Sequence, residues 1–500
     1  MKATTRPRTT FDAPLAAWFA HQGWTPAPFQ RAAWKHYLVG RDGLLVTPTG
    51  SGKTLAAFGG PLLQALRDPP APKRKRGELV PARTRVLWIS PLRALANDTT
   101  RALRAPIEAL GLPWTVAMRT GDASARDKRL SRNGQSDVLV ITPESLALLL
   151  SYAETAEQLR GLRAVVVDEW HELLGSKRGV LLQLCLARLR ALSPTLRTWG
   201  LSATLGNLEQ ARDALLPHAP DAPIIDAAKP RSLTLETLLP EAHERFAWAG
   251  HLGLSQLQRV VARLQGVRST LLFANTRSQA ELWHKALQSL WLDDPDMLAL
   301  HHGSIDPKLR HAAEQGLRDG SVRCVVATSS LDLGVDFPAV DQVIQIGSPK
   351  GMARLLQRAG RARHRPGEVG RILCVPTHAL ELVEYAAARK SLNAGKVEAR
   401  VPPRLSLDVL AQHCVTLALG GGFDADALFA EVRGTHAFAD LDAATWQAVL
   451  DFIVQGGKAL AHYPDYHRVV RDEEGTYRVV DRKLAFRHRL SIGTITSDGH

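Results

Sequence analysis

Cysteine is scarce in this chain. Only 4 of 500 residues are Cys, and Cys185, Cys324, Cys374 and Cys414 fall singly into apolar runs with no paired spacing. That pattern excludes a disulfide framework and a cysteine-built zinc site. Long apolar runs are also missing: no stretch approaches the roughly 18 residues that read as a membrane span. The basic N-terminus, Met1 to Asp12, has no apolar segment behind it and lacks the form of a secretory signal. Acidic residues are outnumbered, 49 Asp and Glu against 63 Lys and Arg, for a net charge of +14. With 45% hydrophobic and 22% charged residues the composition is that of a folded soluble chain. The expectation is a cytoplasmic protein with a polyanionic partner, most simply nucleic acid; a general solubility charge is the alternative reading of the excess. The length exceeds what one core supports, so roughly two to four domains are expected.

What is present is organised around Thr47-Pro-Thr-Gly-Ser-Gly-Lys-Thr54. An apolar run, Gly43 to Val46, leads in, and a helical pattern over Leu55 to Leu66 leads out. Strand, glycine-rich turn and helix form the setting that a phosphate-binding loop needs. Gly50 and Gly52 let successive N–H groups turn inward around an anion, and the helix N-terminus adds partial positive charge there. Lys53 can reach the β- and γ-phosphates, and the Thr54 hydroxyl can hold Mg2+. Thr47 departs from the general pattern, which has Gly at that position. The loop implies a nucleoside triphosphate and leaves open what its energy drives.

Around this loop, short apolar runs alternate with helical patterns. Val86 to Ser90, Val138 to Thr142, Ala164 to Val167 and Thr198 to Ser202 read as buried parallel strands. Helical stretches near 93–110, 145–151, 179–191 and 207–215 lie between or after them, which predicts a doubly wound α/β sheet. Ligands of such sheets bind at the carboxyl ends of the strands. Ser90-Pro-Leu-Arg93, Thr120-Gly-Asp122, Thr142-Pro-Glu144, Asp168-Glu-Trp-His171 and Ser202-Ala-Thr204 all fall there. An acid at the end of an apolar strand is costly to bury unpaired. Beside a phosphate loop, Mg2+ is the economical partner for Asp168, and Glu169 is placed to orient and deprotonate a water. A helix-capping acid pair is the bland alternative. Upstream, Gly23 to Gln30 reads as a rigid proline loop, and the Gln30 amide can pair with one adenine edge or simply be solvated. Pro69 to Arg85, with Lys73 to Arg76, reads as an exposed basic insertion.

A second α/β series follows a break between Asp226 and about Glu241: Thr270 to Ala274, Leu298 to His301, Val322 to Thr328, Gln342 to Ile346 and Gly370 to Val375. It has no phosphate loop. It carries instead the cationic run Gln357-Arg-Ala-Gly-Arg-Ala-Arg-His-Arg365, either a solvated basic helix end or a source of arginines for the γ-phosphate. Leu407 to Leu419, Ala425 to Val432 and Ala443 to Gln455 read as three amphipathic helices, and Tyr463 to Val480 as a hairpin about Asp472-Glu-Glu-Gly475. Three helices and a hairpin suggest a winged helix, a nucleic-acid binder or a buttress. Leu484 to Thr496 alternates like a strand from Arg487 onward and is expected to begin a further domain. The fold class expected is therefore α/β: two tandem doubly wound parallel-sheet domains followed by a winged-helix domain. The expected limits are 1–228, a linker at 229–241, 242–395, 396–480, and the start of a truncated domain at 481–500.

Taken together, Gln30, Thr49 to Thr54, Pro91 to Arg93, Thr142 to Glu144, Asp168 to His171, Ser202 to Thr204, Phe273 to Arg277, His302-Gly303, Ala327-Thr328, Asp332 to Asp336 and Gln357 to Arg361 occur in the order of superfamily 2 helicases. The resemblance covers about residues 20–375. Asp168-Glu-Trp-His-Glu-Leu-Leu-Gly175, Lys177-Arg-Gly179 and Leu407-Asp-Val-Leu-Ala-Gln-His413 resemble, more narrowly, the Lhr-like bacterial DExH helicases, particularly the ligase-associated type tied to the DNA damage response. The resemblance implies RecA-like form for the two doubly wound domains, ATP and Mg2+ as cofactors, and 3′-to-5′ movement on single-stranded DNA with duplex unwinding. It implies partly duplex DNA and DNA-repair ligase machinery as partners, with RNA or an RNA–DNA hybrid as the alternative substrate, and no membrane. It implies nucleotide contacts from Gln30, Thr49, Gly50, Ser51, Gly52, Lys53, Thr54, Asp168, Gly334, Asp336 and Arg358. The metal falls to Thr54 and Asp168, and catalysis to Lys53, Asp168, Glu169 and Arg361. Strand contacts fall to Arg93, Thr142, Asn275 and Thr328, and coupling to Ser202 and Thr204. The role of His364 is left open.

Overall fold

The computed structural model describes residues 12–48, 50–68, 83–121, 123–203, 205–227, 233–239, 248, 252–332, 340–362, 370–456 and 468–492. The chain divides into two compact units. One takes in residues up to Ala203, Asn207–Ala227 and everything from Arg400 onward; the other comprises Thr204–Gly206 and Ala228–Ala399.

The first unit is built on strands β1 (Gly43–Val46), β2 (Val86–Ile89), β3 (Val116–Arg119), β4 (Val138–Ile141), β5 (Ala164–Val167), β6 (Arg197–Ser202) and β7 (Ile224–Asp226). They lie in the order β3-β4-β2-β5-β6-β1-β7 with every pairing parallel. β1, β2, β4 and β5 are buried along their whole length, which is why they read as unbroken apolar runs. β3 and β7 were not legible in this way. They are short edge strands, and β7 is only half-buried.

One packing contact sets the geometry beside the phosphate loop. The helix Pro28–Leu38 lies against the helix Lys53–Arg67 at Gly59 and Gly60, where an added Cβ would meet the Trp34 indole at 2.2 Å and the Tyr37 ring at 2.6 Å. Only glycine permits that approach, and the Trp34 Nε1–H completes it by donating to the Leu55 carbonyl at 3.0 Å. The sequence suggested a rigid loop over Gly23 to Gln30. The helix in fact starts at Pro28, a proline tolerated in a first helical turn, so Gln30 is a helical residue.

The second unit holds β8 (Leu233–Thr237), β9 (Thr270–Phe273), β10 (Leu298–His301), β11 (Cys324–Ala327), β12 (Gln342–Ile346) and β13 (Gly370–Val375). Their order is β10-β11-β9-β12-β13-β8, again all parallel. β8 lies where the sequence suggested a linker. It is an edge strand, half-buried, so it carries no continuous apolar run to announce it.

The chain then returns to the first unit. The helices Leu407–Leu419, Ala425–Arg433 and Ala443–Gln455 and the hairpin β14 (Val470–Arg471) with β15 (Tyr477–Arg478) form the winged helix expected from the sequence. Gly475 supplies the left-handed turn residue at φ 85°. Residues 463–467 of the expected hairpin lie outside the described residues. Phe423 joins the hairpin through a bridge to Tyr477, with the rings stacked 5.2 Å apart. The winged helix docks on the helix Lys177–Leu192: Gln183 Oε1 accepts the Ala437 N–H at 3.0 Å, Lys177 meets Asp408 at 2.8 Å, and Arg188 meets Glu431 at 3.4 Å.

One expectation fails outright. Leu484 to Thr496, expected to run as a strand from Arg487 onward, is helical as far as Ser491, within the helix Arg482–Ser491, and residues 493–496 lie outside the described residues. Asp481 caps the helix by accepting the Lys483 and Leu484 N–H groups, and Leu484, Ala485, His488 and Arg489 share its inner side. Arg489 donates to Ser151 Oγ at 3.0 Å and lies 4.3 Å over the Tyr152 ring. A cap and a helical-period contact face outweigh the alternation that begins at Arg487.

Candidate functional site

The carboxyl ends of β1, β6 and β5 converge, with β6 between the other two. Thr47 N–H donates to the Ser202 carbonyl at 3.0 Å, so the start of the phosphate loop, which follows β1, is tied to the end of the neighbouring strand β6. Gly50 and Gly52 have φ of 77° and 86°, and Gly52 starts the helix Lys53–Arg67. A Cβ at Gly52 would also stand 2.8 Å from Gln30 Nε2. Gln30 is buried, with its amide engaged at both ends: Nε2 donates to the Gly52 carbonyl at 3.0 Å and Oε1 accepts the Ala27 N–H at 2.8 Å. Here Gln30 braces the loop. Thr49 lies outside the described residues.

Lys53 pairs with Glu169 and stands 3.6 Å from Asp168 Oδ1. Both acids are almost fully buried. Burial alone would lower the Lys53 pKa, but Glu169 and Asp168 outweigh it and hold the ammonium above its ordinary value. Burial pushes Asp168 up, against the pull of Lys53 and with the push of Glu169. Glu169 sits in the left-handed region at φ 46°, one of three such non-glycine residues among those described. That conformation costs about 1–2 kcal/mol and needs outside support. The Thr47 and Ser51 hydroxyls, in the same loop, are buried without a hydrogen-bond partner among the described residues. Unsatisfied donors, glycine-shaped N–H groups, a lysine and a buried carboxylate together fit a nucleotide phosphate with a divalent cation. Among the described residues no cluster of three His, Cys, Asp or Glu makes a separate metal site.

His171 ties this centre to the end of β6. Its Nδ1 accepts the Ala203 N–H at 3.1 Å, and burial pushes its pKa down to about 3, so the ring is neutral. Ser202 is fully buried, and its hydroxyl donates to the Ala203 carbonyl at 2.8 Å. Thr204 lies outside the described residues. At the ends of β2 and β4, Arg93 is exposed at the start of the helix Arg93–Ala109, and Thr142 caps the helix Pro143–Leu150 by accepting the Ser145 N–H at 3.3 Å. Arg178 joins these two loops: Nη2 donates to the Pro91 carbonyl at 2.7 Å and to Glu144 Oε2 at 3.2 Å. Burial would raise the Glu144 pKa, and Arg178 more than cancels it. The sequence marked Arg178 only as part of a resemblance. Its partners are far away along the chain, so no local signal could have given its role.

In the second unit Asn275 is exposed beyond β9, with Nδ2 donating to the Ser348 carbonyl at 2.7 Å. Thr328 is buried at the end of β11 and its N–H donates to the His301 carbonyl at 3.3 Å. Arg358, on the helix Met352–Ala359, is fully buried. Nε and Nη2 donate to the two Asp332 oxygens at 2.7 and 3.1 Å, Nη1 donates to Gln345, and the guanidinium lies 4.7 Å over the Phe273 ring. All three of its nitrogens are thus engaged inside its own unit. Arg361 is also buried, with Nη2 donating to the Asp332 carbonyl at 3.3 Å. Gly334, Asp336 and His364 lie outside the described residues. Among the described residues no helix is long and apolar enough to cross a membrane.

Two parallel sheets, one with a phosphate loop and an Asp-Glu pair and one with neither, are the motor pair of a superfamily 2 helicase. Family models agree: residues 27–211 match the DEAD/DEAH box helicase domain, 254–367 the helicase conserved C-terminal domain, and 390–500 the winged helix domain of large helicase-related protein. The chain belongs to the Lhr-like helicases. It is 35% identical over 493 residues to the Lhr helicase/probable uracil glycosylase of Mycolicibacterium smegmatis, covering 89% of this chain and 32% of that protein. It is 31% identical to the ATP-dependent helicase Lhr-Core of Methanocaldococcus jannaschii, covering 89% and 53%. Among solved structures it matches the Mycobacterium smegmatis helicase Lhr bound to ssDNA and AMP-PNP at a TM-score of 0.82 and 34% identity, covering 99% of this chain and 63% of that one. The chain spans between about a third and about half of the length of these curated relatives.

Proposed function

We propose that this chain is an ATP-driven motor that moves 3′ to 5′ along single-stranded DNA and separates duplexes, in DNA repair. The observation that carries the reading is the buried Lys53–Asp168–Glu169 cluster beside the phosphate loop. In the free protein Lys53 is held by two carboxylates. When ATP enters, its γ-phosphate competes for the ammonium, and Glu169 is released to take a proton from the attacking water. Thr54 and Asp168 would hold Mg2+, which supplies charge neutralisation for the phosphates. The N–H groups of residues 49–54 cradle the phosphates, and Gln30 fixes the loop and reads the adenine. Arg361 supplies the γ-phosphate contact from the second unit, assisted by Gly334 and Asp336. With its donors engaged in the interior, Arg358 braces that segment. Ser202 and Thr204 couple hydrolysis to conformational change, and Arg93, Thr142, Asn275 and Thr328 grip strand phosphates. Support comes from the exposed placement of Arg93 and Asn275, and from the helix N-terminus at Thr142. The M. smegmatis relative holds ssDNA. The domain limits proposed from the sequence, 1–228, 242–395 and 396–480, serve as the working division.

RNA or an RNA–DNA hybrid is the second reading, because phosphate grips do not by themselves read the sugar. The test is ATP hydrolysis titrated in parallel with single-stranded DNA, single-stranded RNA and duplex DNA. Strong stimulation by single-stranded DNA alone supports the first reading, and equal stimulation by RNA supports the second. Hydrolysis indifferent to any polynucleotide contradicts both.

A further inference from the structure

The chain passes between the two units four times, after Ala203, Gly206, Ala227 and Ala399. The last crossing is anchored residue by residue. Within the second unit, the Glu398 carboxylate accepts the Ala353 N–H through both oxygens at 3.1 Å, capping the helix Met352–Ala359, and the Glu398 carbonyl accepts the Gly206 N–H at 3.3 Å. Within the first unit, Arg400 N–H donates to Asn207 Oδ1 at 3.1 Å, and Asn207 Nδ2 donates back to the Arg400 carbonyl at 3.0 Å. The Arg400 side chain then reaches the segment that follows β5. Nη1 donates to the His171 carbonyl at 2.6 Å, and Nη2 to Glu172 Oε1 at 3.4 Å.

We propose that Arg400 is a positioning residue for ATP hydrolysis, holding the main chain of residues 169–172 so that Glu169 keeps its catalytic placement while Lys53 changes partners. This inference rests on the motor reading above. Its physical basis is the strain at Glu169. The left-handed backbone there is held from one side by the Lys53 ion pair, which the nucleotide is expected to take away, and from the other by the His171 contacts to Ala203 and Arg400. Only the second set survives ATP binding. Arg400 bonds to a main-chain carbonyl and to Glu172, not to Asp168 or Glu169, so it acts through geometry. A single residue, Ala399, separates this anchor from the Glu398 cap on the helix that leads to Arg361.

The test compares Arg400→Ala, Arg400→Lys and Arg404→Ala in the 500-residue chain with saturating single-stranded DNA. Arg404 is the control, since it makes only an exposed ion pair with Asp440. Arg400→Ala is expected to lower kcat on the order of 10- to 100-fold, the cost of a misplaced catalytic group. Its KM for ATP should stay within about twofold of the parent, because no nucleotide contact is removed. Arg400→Lys should recover part of the loss, since an ammonium still donates to the His171 carbonyl, and Arg404→Ala should match the parent. Parental kcat in Arg400→Ala overturns the inference and leaves the motor reading intact. So does a kcat loss that Lys does not relieve and that tracks a lower Tm in both Arg400 variants. A parent chain with no ATP turnover overturns both.

Discussion

The two parallel sheets are alike in architecture and opposite in how they treat buried charge. At the edge of the first, one lysine faces two acids at the mouth of a loop in which two hydroxyls have no hydrogen-bond partner among the described residues. At the edge of the second, one arginine is matched to one aspartate by two parallel bonds, with a glutamine and an aromatic ring completing its shell. The first arrangement is exchangeable: a point charge on a flexible stem can leave for a phosphate. The second is a fixed fork, with geometry that rewards staying. Similar folds thus hold a reactive pair and a structural pair, and the difference lies in lysine against arginine and in one glycine-rich turn.

Substitutions can break that contrast. Lys53→Ala should cost roughly 10³-fold or more in ATP turnover, and it should also lower stability, because the buried Asp168 and Glu169 lose their shared cation. Arg358→Ala should act first on stability: the buried Asp332 is left with Arg354, 3.7 Å away, and stability falls by about 3 kcal/mol, read as a fall in the denaturation midpoint. Arg361→Ala should depress turnover by ~10³-fold while leaving DNA affinity close to parental. If Arg358→Ala folds as well as the parent but loses turnover, the fixed pair is catalytic and the contrast fails.

A smaller effect is expected with pH. His171 and His413 are pushed down to about 3 by burial, and His488 to about 4. An unfolded histidine takes its proton near 6.5. Below that pH the unfolded chain binds protons that the folded first unit refuses, so stability is lost as pH falls from about 6.5 toward 4. At pH 5 each such ring accounts for roughly 2 kcal/mol. His413, fully buried with neither ring nitrogen hydrogen-bonded among the described residues, gives the cleanest test. His413→Gln should make stability fall less steeply as pH drops, measured by denaturant unfolding between pH 4.5 and 6; an unchanged slope contradicts the assignment.

The smallest effect concerns the winged helix. The helix Ala443–Gln455 carries no Lys or Arg, and its exposed residues include Ala444, Gln447, Ala448 and Asp451. Phosphate contacts supply most non-specific affinity, and this face offers none. Gln447→Ala should therefore change single-stranded DNA affinity by less than about twofold, whereas a larger loss would assign this helix to the nucleic acid.

How much of this was legible follows from the range of each interaction. The phosphate loop, the strand that ends at Asp168 and the three winged-helix helices were readable because loop chemistry and burial period are local. Edge strands β7 and β8 were not, since half-burial leaves no continuous apolar run, and β3, buried over Val116–Met118, offers only three apolar residues before Arg119. The helix Arg482–Ser491 was misread because its cap and its docking on Ser151 and Tyr152 outweigh a weak alternation. Gln30 was assigned to adenine, and the structure adds a contact to Gly52, which sequence could not show. Arg178 and Arg400 were invisible as site residues, because each acts on a carbonyl far along the chain, in the case of Arg400 one 229 positions away.

The central claim is that Glu169 serves as the base once Lys53 has turned to the phosphates. Single-turnover hydrolysis and nucleotide binding by Glu169→Gln test it most directly. The predicted result is ATP affinity close to parental with hydrolysis lowered by roughly 10²- to 10⁴-fold, the contribution of a general base. Hydrolysis at the parental rate in Glu169→Gln would contradict it.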